Sequence, residues 1–128
     1  MLFGSKFITF QDYNQEVLKF STLPNCLLNP MISKSKYNFL QLDWGNEAST
    51  YSKLFCFGND NIFSPLPIKN YLNDSYDFIF AGDILYETKH YESLLELFSK
   101  RLNKGGLVVI ITKYFYYGNR GKYFWRDN

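Results

Sequence analysis

One histidine, two cysteines and four prolines in 128 residues leave several kinds of chemistry without raw material. Cys26 and Cys56 stand alone, with no Cys-x-x-Cys pair and no histidine nearby, so no zinc-type or other metal site is expected. They are either two free thiols in a reducing compartment or a disulfide, and free thiols are the plainer reading. Glycine is scarce at the front: Gly4 is the only one before Gly45, so no Gly-rich turn can cradle a nucleotide there. No run of about 18 apolar residues occurs, so no transmembrane helix is expected. The first ten residues carry one lysine and a broken apolar run, without the cleavage site of a signal peptide. An excess of one charge is lacking too. Fourteen basic against twelve acidic residues give +2, too little to argue for a nucleic-acid or anionic membrane partner.

What is present is apolar material for a core, at 46% hydrophobic residues, which excludes a mainly disordered chain. Its length is that of a single domain. The richness in Phe, Tyr, Asn and Lys looks like a bias toward AT-rich codons rather than a functional signal.

Residues 7–10 read as a strand, being β-branched and aromatic. Asp12 and Gln15 have capping-box spacing, followed by a short helix with Val17, Leu18 and Phe20 on its apolar face. Pro24 is expected to end that helix. Residues 37–42 read as a second strand, closed by Asp43, Trp44 and Gly45. From 46 to 75, Gly, Asn and Pro punctuation with no sustained period reads as an inserted surface loop. Residues 76–81 and 107–112 are short apolar runs of the buried, parallel-strand kind. Between them, 91–102 is the best helix, with Leu94, Leu95, Phe98 and Leu102 on one stripe. Residues 103–106 read as a helix stop and turn.

Strands alternating with helices argue for an α/β fold with a mostly parallel sheet. In such sheets ligands bind at the carboxyl ends of the strands. Asp12, Asp43, Asp83 and Lys113 each fall just past an expected strand. His90 lies at the start of a helix, away from these ends, and reads as a surface histidine.

At these positions the chain resembles a seven-β-strand methyltransferase and, more narrowly, the histidine protein methyltransferase family. The segments that carry the resemblance are Phe10-Gln11-Asp12-Tyr13-Asn14, Leu23-Pro24-Asn25 with Asn29, Asp43-Trp44 and Tyr76-Asp77. They continue as Asp83-Ile84-Leu85-Tyr86, Leu102-Asn103-Lys104-Gly105-Gly106 and Lys113-Tyr114-Phe115-Tyr116-Tyr117-Gly118. The resemblance implies a single partial Rossmann-like domain over 1–128, with its first strand and last two strands missing and an insertion at 46–75. It implies S-adenosylmethionine as cofactor, a protein histidine as acceptor, in this family one of a large-subunit ribosomal protein, and a cytoplasmic or nuclear setting. It assigns cofactor binding to Asp12, Tyr13, Asp43 and Trp44, with Asp12 accepting from the ribose hydroxyls and Asp43 beside the adenine amino group. It assigns the transfer site to Asp83 and Tyr86, where the family usually has Glu and Tyr.

Each assignment has a plainer alternative. Asp12 could only cap a helix, Trp44 could only anchor the core, and Asp83 could be a solvated acidic cap. The aromatics at 114–117 could shape an imidazole pocket or simply pack. Without the family's Gly-rich turn, the chain alone is expected to bind S-adenosylmethionine weakly or not at all. Without the first strand, which is central in this fold, unpaired backbone groups are expected at the gap. A noncatalytic interaction module on a degenerate methyltransferase scaffold is the alternative function. A third reading, RNA binding through the aromatic and basic 114–126 stretch, fits the near-neutral charge least.

Overall fold

The computed structural model describes residues 5–29, 36–46, 52–57, 63–67, 71 and 74–113. The fold is mixed α/β, consistent with a partial Rossmann-like architecture, and its contacts divide the chain into two units, Met1–Asn73 and Asp74–Asn128. Among the described residues no helix is long and apolar enough to cross a membrane.

The first unit is a sheet of order β1-β2-β3-β4. Strand β1 (Phe7–Asp12) runs parallel to β2 (Lys36–Gln41), with Gln11 opposite Leu40 and Asp12 opposite Gln41. Strands β3 (Lys53–Phe57) and β4 (Phe63–Leu66) extend it in antiparallel fashion. The 46–75 stretch therefore contains two strands where its punctuation suggests a surface loop. Leu54 and Phe55 of β3 are buried, so the stretch contributes to the core. Short antiparallel strands alternate too briefly to reveal a period in the sequence.

The link from β1 to β2 is helical: α1 (Gln15–Val17), a π-turn (Leu18–Thr22) and α2 (Leu23–Leu28). Expectation and structure differ here in three ways. Asp12 is the last residue of β1 and accepts the N–H of Asn14, which is itself the residue preceding α1. The helix also runs on through Pro24. The buried residues are Leu18, Leu23 and Cys26, whereas Val17 and Phe20 are 40% and 70% exposed.

One device explains the last two differences. In a regular α-helix Leu18 and Leu23, five positions apart, would point about 140° away from each other. The wider π-turn returns them to one face, and it relaxes the tight i−4 contact that normally excludes proline. Thr22 Oγ1 donates to Val17 O, five residues back, at 3.3 Å. That face packs with Phe39 and Phe55, and Phe10 and Tyr37 pack against the cluster. The Phe10 and Phe39 rings stack at 5.7 Å.

The second unit is β5 (Tyr76–Gly82), a 3-10 turn (Thr88–His90), α3 (Tyr91–Arg101) and β6 (Leu102–Ile111). Strands β5 and β6 pair in parallel, joined through α3 as the crossover. The helix buries Leu94, Leu97 and Arg101, while Leu95 is 55% exposed, so the stripe lies slightly to one side of the expected one. Residues 103–106 lie inside β6 rather than in a separate turn. The register passes from Tyr76 opposite Leu102 to Phe78 opposite Leu107, so these residues bulge out. Gly105 takes φ +81°, and a Cβ on Gly106 would stand 2.9 Å from the backbone oxygen of Asp77. Asn103 Nδ2 closes the bulge by donating to Asp77 Oδ1 at 2.9 Å.

Candidate functional site

In the first unit, the carboxyl ends of β1 and β2 bring Asp12, Tyr13, Asp43 and Trp44 together. The parallel pairing makes both strands end on the same side, and Leu42 N–H donates to Asp12 O at 3.2 Å across the pair. Each aspartate turns one oxygen back to its own loop: Asp12 Oδ1 accepts from Asn14 N–H at 2.8 Å, and Asp43 Oδ1 from Gly45 N–H at 3.1 Å. These Asx turns hold the carboxylates in place. The second oxygen of each has no partner among the described residues. Tyr13 is 54% exposed, and Trp44 is half-buried.

Two glutamines that the residue types alone did not single out tie these loops together. Gln11, near the end of β1, accepts from Trp44 Nε1 at 3.1 Å and donates to Leu42 O at 3.3 Å. Gln41, ending β2, donates from Nε2 to Tyr13 O at 3.3 Å. Each strand end thus holds the loop that follows the other strand. Gln41 is buried, and among the described residues its Oε1 has no hydrogen-bond partner. The available signal was a polar amide inside an otherwise apolar strand, Phe39-Leu40-Gln41-Leu42.

In the second unit, Asp83 follows β5 with φ +51°, a left-handed conformation unusual for a residue with a Cβ. Its N–H donates to Ile111 O at 2.8 Å, which ties the loop after β5 to the end of β6. Lys113 Nζ lies 3.7 Å from Asp83 Oδ2, with both side chains more than half exposed. Leu85 is buried, and its carbonyl accepts from Tyr91 Oη at 3.2 Å, fixing the loop to α3. Tyr86 beside it is 46% exposed. His90 lies at the helix start, 3.6 Å from Glu87 Oε2. The aromatic run at 114–117 lies outside the described residues.

Away from the strand ends, Cys26 and Cys56 are free thiols. Burial pushes the Cys26 thiol above its ordinary range. Burial, then the neighbouring Cys26, raises Tyr37 likewise.

Parallel strands with acidic residues at their carboxyl ends, linked through helices, are consistent with a partial Rossmann-like α/β architecture, a class in which ligands bind at strand ends. Within that class, the chain is similar to histidine protein methyltransferase 1 homologs. It is 30% identical to the one from Bos taurus over 92% of this chain and 34% of that protein. It is 30% identical to the one from Dictyostelium discoideum over 94% of this chain and 32% of that protein. With the homolog from Mus musculus the identity is 27% over 92% of this chain. The chain thus spans about a third of the length of these curated relatives, and its resemblance to the histidine protein methyltransferase family extends over most of its residues. No family model and no solved structure matches it.

Proposed function

We propose that the chain carries the nucleoside-binding side, and part of the acceptor side, of an S-adenosylmethionine-dependent protein-histidine N-methyltransferase. The observation that carries this reading is the meeting of Asp12 with Asp43 and Trp44 at one end of the parallel β1–β2 pair. The donor set suits the adenosine of the cofactor. Asp12 is anchored through one oxygen and keeps a second for the adjacent ribose hydroxyls, which an ionised carboxylate accepts well. Asp43, anchored in the same way, suits the adenine amino group, and the Trp44 indole offers an aromatic surface for the base. Tyr13 is exposed beside them.

When bound, S-adenosylmethionine supplies a methyl group made electrophilic by its sulfonium. The acceptor chemistry asks little of acid–base groups, because an imidazole with pKa about 6.5 is mostly neutral at pH 7 and has a free lone pair. Asp83 accepts the imidazole N–H, orients the ring and stabilises the positive charge that develops on it. Its ion pair with Lys113 is exposed and therefore weak, so the carboxylate can exchange that partner for an acceptor. Tyr86 offers its ring and hydroxyl alongside. Positioning supplies most of the rate in such a displacement. The acceptor belongs to a protein, with a large-subunit ribosomal protein as the first candidate.

The test is a chimera in which this chain replaces the matching segment of the Bos taurus relative. Incubation with labelled S-adenosylmethionine and candidate proteins, followed by hydrolysis, should release labelled methylhistidine. A folded, cofactor-binding chimera that labels no histidine would overturn the proposal.

A further inference from the structure

We infer that Gln11 is a positioning residue that sets the base specificity of the nucleoside site, by clamping Asp43 from both sides through one amide. The inference rests on the reading of Asp12, Asp43 and Trp44 as a nucleoside site. Its own ground is separate: Gln11 Oε1 accepts from Trp44 Nε1 at 3.1 Å while Gln11 Nε2 donates to Leu42 O at 3.3 Å. Leu42 and Trp44 are the two chain neighbours of Asp43. The two bonds have opposite polarity, so the amide orientation is set by its partners. Turned over, it would face an indole N–H with its own N–H groups and a carbonyl with its own oxygen.

The consequence is chemical. Asp43 carries the carboxylate suited to an exocyclic amino group, and Trp44 carries the ring suited to a base. Both ride on a short loop whose internal bonds are Asp43 Oδ1 with Gly45 N–H and Asp43 O with Asn46 N–H, each at 3.1 Å. Those bonds shape the loop but do not attach it to the sheet. Attachment comes from Leu42 N–H on Asp12 O, from Ser52 Oγ on Asn46 O at 3.4 Å, and from Gln11, whose one amide bonds both chain neighbours of Asp43. Without the clamp, the two flanks of Asp43 lose their side-chain bonds to β1, while Asp12, held by its own Asx turn, keeps its place.

Gln11 should therefore govern the base and leave the ribose alone. The probes are adenosine and inosine, which share a ribose but differ in the 6-amino group, titrated at millimolar concentration into the isotopically labelled 128-residue chain. The wild type should prefer adenosine by about tenfold, the worth of one charge-assisted hydrogen bond. Gln11→Leu should abolish that preference and shift the Trp44 indole N–H resonance upfield, the sign of a lost acceptor. Gln11→Glu, which keeps an acceptor for the indole, should leave the resonance near its wild-type position. Asp12→Ala should weaken both nucleosides equally and leave the ratio intact. A wild type that binds neither nucleoside overturns the site reading and this inference with it. A wild type that prefers adenosine, with a folded Gln11→Leu that keeps the same preference, overturns this inference alone.

Discussion

In the proposed function Asp12 serves the cofactor and Asp83 the acceptor, and substitutions should separate the two roles. In the chimera, Asp12→Ala should weaken cofactor binding about ten- to a hundredfold, the loss of hydrogen bonds to a charged acceptor worth roughly 1.5–3 kcal/mol. Asp83→Asn should instead lower kcat and leave cofactor affinity nearly unchanged; equal loss of binding in both variants would refute that division. Asp83→Gly should raise the unfolding free energy of the 128-residue chain by about 1 kcal/mol, because φ +51° costs a residue with a Cβ what glycine escapes. Denaturant titration reads this directly, and in the chimera the same variant should lose turnover. At the core, burial keeps the Cys26 thiol protonated where the unfolded chain would ionise. Its folded pKa is raised, so its contribution to stability is intact below the ordinary thiol value of 9.0 and is lost as pH climbs through the folded value. Tyr37 acts in the same sense from its own, higher range. A pH series of denaturation midpoints should show an alkaline fall that is smaller in Cys26→Ala. The positions of Asp12, Asp43 and Asp83 at strand ends were legible in the sequence because a carboxylate past an apolar strand is a strong local signal. Gln11 and Gln41 were not, because a strand amide reveals its partners only once the strand neighbours are known.

At the level of elements, the π-turn makes a proline inside a helix tolerable, which can be tested by removing one residue. Deleting Phe20, 70% exposed, brings Leu18 and Leu23 to four-residue spacing, so a regular α-helix would still bury both. Pro24 would then sit inside a regular helix, at a cost of about 3 kcal/mol. The deletion should destabilise by about that amount, and adding Pro24→Ala should restore most of it, although Pro24→Ala alone changes little. An unchanged midpoint in the deletion variant would contradict this account of the turn. In the second unit, Gly106→Ala should destabilise by about 1–3 kcal/mol, because its Cβ would meet the Asp77 carbonyl oxygen at 2.9 Å with backbone on both sides. The strands β1, β2, β5 and β6 and the helix α3 were legible from apolar runs and one amphipathic stripe. The π-turn was not, since a phase shift in a helix looks like a break when the sequence also offers a proline. Strands β3 and β4 escaped because Gly, Asn and Pro surround them and each is too short to alternate visibly.

At the scale of the whole chain, the strand pairs expected to be parallel are parallel, and hydrogen bonding groups them in two separate sheets, β1 to β4 and β5 with β6. The Rossmann-like class was legible because strand–helix–strand alternation admits few other arrangements. The antiparallel extension was not, since nothing in its composition marks it. The functional proposal rests on the meeting of Asp12, Asp43 and Trp44 at the carboxyl end of the β1–β2 pair, and Asp83 follows β5 in the second unit. The central claim, that the β1–β2 end holds the adenosine of the cofactor, is tested most directly by titrating the chimera, isotopically labelled, with S-adenosylhomocysteine and following its amide and indole resonances. Saturable shifts centred on Asp12, Tyr13, Asp43 and Trp44 are expected, with affinity weakened about ten- to a hundredfold in Asp12→Ala. Absence of saturable shifts at those residues, or shifts that persist unchanged in Asp12→Ala, would contradict it.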